Sequence, residues 1–403
     1  MRRALTLTPA PLFAVGLPLL LALLVALLVG GCASADRSPG LAFLRSGDFA
    51  AGRAHFERQA VEEPRDAALE YNEAGVMALL ENDVPGAQRY FRMAFDDLED
   101  LSSTTGETVK TFLGSADSRR WKGEPYERCM NAYYLGVTYW LRGDDDNAAA
   151  SFKSGVLRDA DSEAGAAQSD FALLWFLMGQ AQRSAFHSDR GQAALKQAHE
   201  LRPDNPWTAP AKAETGNVLL LLETGLGPKR EAVGRHGADV RFRKNPGGSA
   251  GAIVRLGETL VGRTAPIGDI YKQATTRGDK VIDRISGGKA VFKDAAVIGG
   301  AVVLANSGSG RSDVIGVALL AAGLLASAQT DLRYWATLPD DVHILLADLP
   351  EGAHRLSLQG ISVAGNPIQG MRWDVPVVVH RGRITLVWTR ALPGNRGVAA
   401  AAR

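Results

Sequence analysis

The pattern of apolar and polar positions changes near the middle of this 403-residue chain. From about residue 41 to 201 the sequence is rich in Ala, Leu, Glu and Arg, which are good helix formers. Beyond 203–206, a Pro-Asp-Asn-Pro cluster that cannot continue a helix, short apolar runs alternate with Gly-rich turns, as in strands. We therefore predict a multi-domain protein of the α-then-β class. A helical domain covers 41–206 and a β-rich domain covers 212–391.

A fixed spacing of small and large residues recurs in the helical half. In the clearest copy, Gly75 is followed twelve positions later by Ala87 and four positions after that by Phe91. Two more copies share this spacing: Gly136, Ala148 and Phe152, then Gly179, Gly191 and Leu195. The pattern resembles the tetratricopeptide repeat, in which paired helices approach through small residues and the pairs stack into a solenoid. An ordinary Ala-rich helical bundle is the alternative.

The repeat pattern is incomplete at its start. A degenerate first copy, whose first helix is mostly missing, consists of Gly52, Phe56, Ala60 and Pro64. Gly75 and Gly136 lie further apart than the roughly 34 residues of a tetratricopeptide unit. Extra segments therefore interrupt the predicted array.

The β-rich half begins with five Val and Leu residues at 218–222, which predict a buried strand. A Gly-rich loop follows, with Glu223, Gly225, Gly227, Pro228 and Lys229 as its candidate structural or recognition residues. A phosphate-binding loop is not indicated, because G-x-x-x-x-G-K-[ST] is missing and proline removes an amide. We predict a structural turn in which both glycines take positive φ. Four later apolar runs, at 342–349, 353–361, 372–380 and 383–392, complete a predicted β-sandwich-like domain.

Two Ala- and Gly-rich apolar stretches at 294–329 surround a Ser-Gly turn. Each is shorter than the roughly 20 residues needed to cross a hydrocarbon core. We predict an inserted helical hairpin that packs against the protein through its small residues. A hairpin that enters the membrane or joins copies of the chain is the alternative.

The N-terminus predicts where the protein works. A basic start and an apolar run ending in small residues form an export signal at 1–31. Val29-Gly30-Gly31-Cys32 resembles the lipobox of bacterial lipoproteins, which implies that Cys32 carries acyl chains such as palmitate. Ala33 follows it, which by that resemblance implies the outer membrane, facing the periplasm. Residues 32–40 would link the anchor to the repeats, and 392–403 would form a flexible tail.

Composition and motifs exclude several classes of function. Lys and Arg number 45 against 44 Asp and Glu, a net charge of +1 that does not favour nucleic-acid binding. The seven histidines form no metal-binding motif, although His343, His354 and His380 fall on neighbouring predicted strands. We find no nucleophile elbow, in which a G-x-S-x-G motif lies between a strand and a helix; the match to that spacing at 247–251 lies in the strand-rich half. We predict no enzymatic activity, no cofactor, no metal and no small-molecule substrate, with Cys129 as a core residue.

A family resemblance rests on two motifs: E-x-G-x-G-P-x-[KR] at 223–230 and TDLRYWATLPDDVHILLADLPEGAHRL at 330–356. Both are similar to motifs of a family of bacterial envelope lipoproteins that have no assigned activity. That family also carries N-terminal tetratricopeptide-like repeats and a C-terminal β-rich domain. Its genes often neighbour those of lipoproteins that regulate peptidoglycan synthesis, which implies a link to cell-wall or outer-membrane assembly.

These observations predict a lipid-anchored envelope scaffold or adaptor. Its repeat domain would bind a periplasmic protein partner, since repeat arrays present extended binding surfaces. One alternative is a membrane-associating or oligomerising component that acts through 294–329. An enzyme acting on an envelope polymer is less well supported, because the sequence offers no convergent catalytic set.

Overall fold

The computed structural model describes residues 38–103, 120–161, 169–233, 239–245, 248–277, 331–392 and 398–399. These residues all belong to one compact unit. The predicted signal segment, Cys32 and the hairpin predicted at 294–329 lie outside the described residues. Within the described part, no helix combines the length and apolar character that a membrane crossing requires.

Eight helices within the described residues of the N-terminal part form four antiparallel pairs. They are α1 (Ser38–Ser46), α2 (Phe49–Glu62), α3 (Ala67–Leu80), α4 (Val84–Ser103), α5 (Pro125–Leu141), α6 (Asp145–Asp161), α7 (Ala172–Ser184) and α8 (Ser188–Leu201). Two further helices are α9 (Pro210–Ala213) and α10 (Ile270–Arg277). Each pair contacts the next, so the described helices form a continuous array.

Local sequence signals fix where the helices begin. Asp48 caps α2 by accepting a hydrogen bond from the Ala51 amide at 3.3 Å. α5 begins with Pro125, and Glu124 and Glu127 exchange backbone and side-chain contacts as a capping box. These caps satisfy amides that the first helical turn leaves without partners.

The first repeat copy has a complete pair of helices, which corrects the expectation that its first helix is mostly missing. α1 is short but present, and Gly40 on it lies twelve positions before Gly52. A Cβ added at Gly40 would fall 2.2 Å from the Phe56 ring. The interpretation failed because the helix begins at Ser38, inside the segment predicted as a linker.

The C-terminal part is rich in sheet. Its strands are β1 (Val218–Thr224), β2 (Lys229–Val233), β3 (Asp239–Arg243), β4 (Ala252–Leu256), β5 (Thr259–Arg263), β6 (Ala265–Asp269), β7 (Asp341–Ala347), β8 (Gly352–Ile361), β9 (Pro367–Val379), β10 (Thr385–Arg390) and β11 (Val398–Ala399). One five-stranded sheet has the order β11-β10-β1-β7-β6, and a four-stranded sheet has the order β5-β4-β8-β9. β2 and β3 form a separate two-stranded ribbon.

The central strand β1 is apolar on both faces because it separates two cores. Leu219 and Leu221 join the large cluster that also contains the repeat helices. Val218, Leu220 and Leu222 join a second cluster, which is filled from the other side by the four-stranded sheet. A strand covered on both faces reads as a continuous apolar run rather than an alternating one.

A helical N-terminal region followed by a sheet-rich C-terminal region confirms the coarse fold class. The sandwich classification itself stays a prediction. Strands β2 to β6 were not predicted, because each is only five residues long and carries weak alternation. β11 lies inside the predicted tail, where Val398 pairs with Trp388 of β10.

Candidate functional site

The predicted loop begins with Glu223, which is fully buried at the end of β1. Its carboxylate accepts hydrogen bonds from Tyr133 Oη at 3.0 Å, Tyr134 Oη at 2.9 Å and Trp388 Nε1 at 2.9 Å. The tyrosines belong to α5 and the tryptophan to β10. One buried carboxylate therefore joins a repeat helix to the central sheet.

Arg390 on β10 neutralises this carboxylate. Its Nη1 lies 3.8 Å from Glu223 Oε2, and neither side chain is exposed to solvent. The guanidinium also donates to the carbonyl oxygens of Thr337 at 2.5 Å and Gly225 at 3.2 Å. A buried ion is tolerated when it is paired and hydrogen-bonded. Here the carboxylate pairs with the guanidinium, and both Nη atoms of Arg390 donate to backbone carbonyls.

Burial sets the protonation of this cluster. It raises the pKa of Glu223, although Arg390 and the surrounding hydrogen bonds act in the opposite direction. Burial and the nearby Glu223 raise the pKa values of Tyr133 and Tyr134 well above their usual range. Both phenols therefore stay neutral and act as hydrogen-bond donors. The arrangement holds two parts of the fold together rather than preparing a nucleophile.

The two loop glycines have different roles. Gly225 has φ +68°, the left-handed region that glycine occupies without strain. Gly227 does not, so the prediction of positive φ there was wrong. Its amide donates to Leu338 O at 2.7 Å, and an added Cβ would lie 3.1 Å from Leu338 Cβ, so a side chain here would crowd Leu338. Pro228 then leads into β2, which begins at the half-buried Lys229.

A short stretch, residues 333–338, lies against the repeat helices, and we call it the clasp segment. The buried carboxylate of Glu73 on α3 accepts hydrogen bonds from the amides of Ala336 at 2.7 Å and Thr337 at 3.2 Å. It also accepts a short hydrogen bond from the Thr337 hydroxyl. A side chain of the repeat array thus binds the backbone of the clasp segment directly.

The next repeat pair binds the same segment. Glu127 on α5 accepts a hydrogen bond from the Trp335 amide at 2.7 Å, and its other oxygen caps its own helix. The Trp335 ring lies beside Phe91 and Tyr134, with ring centroids 6.2 and 5.5 Å away. Arg333 pairs with Asp66, just before α3. Two repeat pairs therefore hold the clasp segment through carboxylates and aromatic packing.

The first helices of three successive pairs face the sheet-rich region. α3 and α5 do so through Glu73, Glu127 and the tyrosines described above. On α7, Leu173 lies so close to Gly268 of β6 that a Cβ there would be 2.9 Å from Leu173 Cδ2. This face of the array is covered by the chain itself, so it is not open to a partner.

The predicted repeat-packing residues lie between the helices of their own pairs. An added Cβ would come within 2.6 Å of the Phe91 ring at Gly75, and within 2.5 Å of the Phe152 ring at Gly136. At Gly179 it would lie 2.7 Å from Leu195 Cγ and 2.9 Å from the carbonyl oxygen of Gly191. The alanines of the second and third pairs, Ala87 and Ala148, are fully buried.

Beside the loop lies a cavity of about 400 Å³ that includes Thr224, Gly225, Lys244, Asp340 and Asp341 in its lining. Lys244 Nζ is 3.3 Å from a carboxylate oxygen of Asp340. Burial and neighbouring carboxylates raise the pKa of Asp341 to about 6. This cavity carries both signs of charge, and within the described residues no group of three metal-ligating side chains is present.

The three strand histidines occupy different environments. His343 on β7 is buried next to Thr224, with Nε2 3.3 Å from its hydroxyl, and burial lowers the pKa of His343 to about 4. His354 lies on β8, in the other sheet, and its Nε2 is 2.6 Å from the Pro350 carbonyl oxygen. His380 follows β9. The fold therefore separates His343 from the other two.

Sequence reasoning singled out Glu223 but missed its partners. Tyr133, Tyr134 and Arg390 are distant in sequence, and their spacing carries no local motif. The sequence does carry a signal for Glu73 and Glu127. Each is a charged residue within an apolar helical stretch, where the neighbouring residues indicate burial rather than exposure.

Comparison with known proteins adds little. No protein-family model matches the chain, and no curated protein sequence matches it. Among solved structures, one that is similar is the crystal structure of the APC/C hetero-tetramer Cut9-Hcn1, with 15% sequence identity and a TM-score of 0.21. The match covers 43% of this chain and 34% of that chain, so it spans about a third of the other protein. A similarity this low carries no argument about fold or function.

Proposed function

We propose that this protein is a lipid-anchored scaffold of the bacterial cell envelope that binds a protein partner. The observation that carries the proposal is the array of four helical pairs with one recurring glycine contact, fixed to a sheet-rich region by buried carboxylates. Tetratricopeptide-like arrays of this kind serve to present extended surfaces to other proteins. The lipobox-like end of the signal segment supports the anchoring part of the proposal.

Because one face of the array is covered, fewer of its surfaces are open to a partner. Glu73 and Glu127 are already occupied by the clasp segment, which is itself buried. Displacing it would leave two buried carboxylates without these amides, at a cost of roughly 1–3 kcal/mol for each. Partner binding would therefore use the helix turns and outer faces of the repeat domain.

Anchoring is tested first. Cys32→Ser should prevent acylation and leave an uncleaved or mislocalised precursor, while the wild type gives a mature N-terminus with acyl chains. Mass spectrometry of the N-terminal peptide and membrane fractionation measure both. An unmodified, freely soluble mature form of the wild type would contradict the lipoprotein proposal.

Partner binding is tested in cells by photo-crosslinking from exposed positions of the repeat domain. One protein should crosslink from the wild type, and its yield should fall in Cys32→Ser, because the anchor concentrates both proteins at one membrane. Crosslinks that are equally strong at every position, or unaffected by loss of the anchor, would argue against a specific envelope partner.

A membrane-associating or oligomerising component remains the second candidate, because the stretches at 294–329 are strongly apolar. Flotation of the unlipidated mature chain, residues 33–403, with liposomes separates the two proposals. Binding that Ala318→Asp abolishes without loss of fold would favour the membrane function. A monomeric protein that stays in buffer would favour the scaffold.

A further inference from the structure

Every turn between the paired helices places one residue in the left-handed backbone region. These residues lie seven positions after Gly40, Gly75, Gly136 and Gly179. They are Gly47 at φ +76°, Asn82 at φ +69°, Gly143 at φ +77° and Phe186 at φ +63°. Three of the four are residue types that adopt this conformation with little strain, namely glycine and asparagine.

Phe186 is the exception, and packing does not explain it. Its side chain is 75% exposed. A bulky residue with positive φ is a backbone outlier, and such strain persists where the surroundings or a function maintain it. The same turn is built without strain in the other pairs, so the fold itself does not require phenylalanine here.

Phe186 borders a cavity of about 330 Å³, which we call the Phe186 cavity. Its lining also includes Trp140 of α5 and the turn between β9 and β10, which carries His380, Arg381 and Arg383. Trp140 is 1% exposed, and its indole N–H has no hydrogen-bond partner among the described residues. His380 Nε2 is buried and likewise has none there.

Two arginines give the cavity its charge. Arg381 and Arg383 are both exposed. The acid within the lining, Asp145, accepts a hydrogen bond from Ser184 at 2.8 Å, and burial raises its pKa against the smaller, opposite effect of the Arg383 charge. The cavity thus combines an indole donor, two guanidinium groups against one carboxylate, and an exposed aromatic ring. That donor set matches an oxygen acceptor of negative charge beside an apolar group.

We propose that the Phe186 cavity is a docking site for a segment of a protein partner that carries a carboxylate next to an apolar side chain. The carboxylate would pair with Arg381 and Arg383, and the apolar side chain would pack on Phe186. This inference rests on the proposed scaffold function and names the chemistry of its partner. Aromatic and arginine side chains are the residue types that contribute most to protein interfaces.

An anionic membrane surface fits this site less well. Asp146, at the neighbouring turn, has a side chain that is 77% exposed, and Asp144 lies beside it. A bilayer of anionic lipids attracts surfaces that are uniformly basic, whereas this end of the array carries both signs. A peptide can place its carboxylate on the arginines and avoid the acids.

The test uses the full-length protein in detergent and a displayed library of random peptides as the probe. Enriched peptides should contain Asp, Glu or a free C-terminal carboxylate beside an apolar residue. Their dissociation constants are then measured by fluorescence anisotropy. Arg381→Gln combined with Arg383→Gln should weaken binding at least about tenfold, and Phe186→Asn should do the same.

Phe186→Asn separates binding from folding because asparagine occupies this turn position in the second pair. It should relieve the backbone strain and raise Tm by about 1–3 °C while peptide binding is lost. Val61→Ala is the matched control, since Val61 is an exposed apolar residue on α2; it should leave binding unchanged.

Three results would overturn the inference: no enrichment of acidic peptides, binding that survives Phe186→Asn, or vesicle binding in place of peptide binding. The last is measured by flotation of the unlipidated mature chain, residues 33–403, with phosphatidylglycerol vesicles, because the acyl chains of the anchored protein would bind vesicles without this site. If Phe186→Asn leaves the in-cell crosslinks of the scaffold unchanged, this site is excluded while the scaffold function stands.

Discussion

At the residue scale, Glu127 is the buried group whose ionisation bears most directly on stability. Its carboxylate has no solvent exposure, and burial raises its pKa to about 7, although Arg230 acts to lower it. The two oxygens accept hydrogen bonds from the amides of Trp335 and Glu124 at 2.7 Å each. The carboxylate is therefore well bonded but poorly solvated.

This raised pKa gives Glu127 a contribution to stability that declines as pH rises. Between the unfolded pKa near 4.5 and the folded value near 7, the Glu127 carboxylate binds more protons in the folded state than in the unfolded state. Its contribution to the free energy of unfolding should therefore decline over this range by up to about 3 kcal/mol. The lowered pKa of His343, about 4, acts with the opposite sign in the same range, so the quantity to measure is the difference between the wild type and Glu127→Gln in urea titrations at several pH values. Asp341, with a pKa of about 6, acts with the same sign as Glu127, so Asp341→Asn should show a smaller difference of the same kind.

The pair of Glu223 and Arg390 gives a second prediction at this scale. Glu223→Leu removes the acceptor of two tyrosines and one tryptophan and takes the carboxylate away from a buried guanidinium. We expect a loss of about 3–5 kcal/mol in the free energy of unfolding. Glu223→Leu combined with Arg390→Met should recover part of this loss. A single variant as stable as the wild type would show that the buried pair contributes little.

At the element scale, the helical pairs depend on the glycine contacts. Gly136→Leu would force a side chain into the Phe152 ring and should cost on the order of 1–3 kcal/mol. Thermal denaturation measures the effect. Ala150→Leu on the exposed face of α6 is the control and should be nearly neutral. Equal Tm values for the two variants would contradict the paired packing.

The elements also show what the sequence could and could not predict. The helical pairs could be predicted because the spacing between Gly75, Ala87 and Phe91 repeats along the chain and reflects contacts within one pair. The contact of the clasp segment with the repeat helices could not be predicted from the sequence. Its hydrogen bonds to Glu73 join residues more than 200 positions apart, and no local periodicity records a contact of that kind.

The loop after β1 could be predicted only in part. Its glycines indicated a turn, and Gly225 has the positive φ that a turn of this kind requires. Gly227 instead makes room for Leu338, a neighbour that only the folded chain supplies. Composition alone does not show whether a glycine is needed for a positive φ or for a close contact with a neighbouring residue.

At the scale of the whole molecule, the repeat array and the sheet-rich region share one large apolar cluster, which contains both Leu135 of α5 and Trp388 of β10. The buried carboxylates of Glu73, Glu127 and Glu223 cross the same boundary. Separating the two regions would expose apolar surface at roughly 25 cal/mol per Å². It would also take the carboxylates from their partners, so neither region should be stable once the other unfolds.

This coupling predicts a single cooperative unfolding transition for the described fold. Hydrogen exchange followed by mass spectrometry should give similar opening free energies for peptides from α5 and from β10. Glu73→Gln, which weakens the hold on the clasp segment, should lower protection in both regions together. An exposed substitution far from the boundary, such as Val61→Ala, serves as the control. If α5 keeps its protection in Glu73→Gln while β10 loses it, the two regions unfold independently and the buried carboxylates do not couple them.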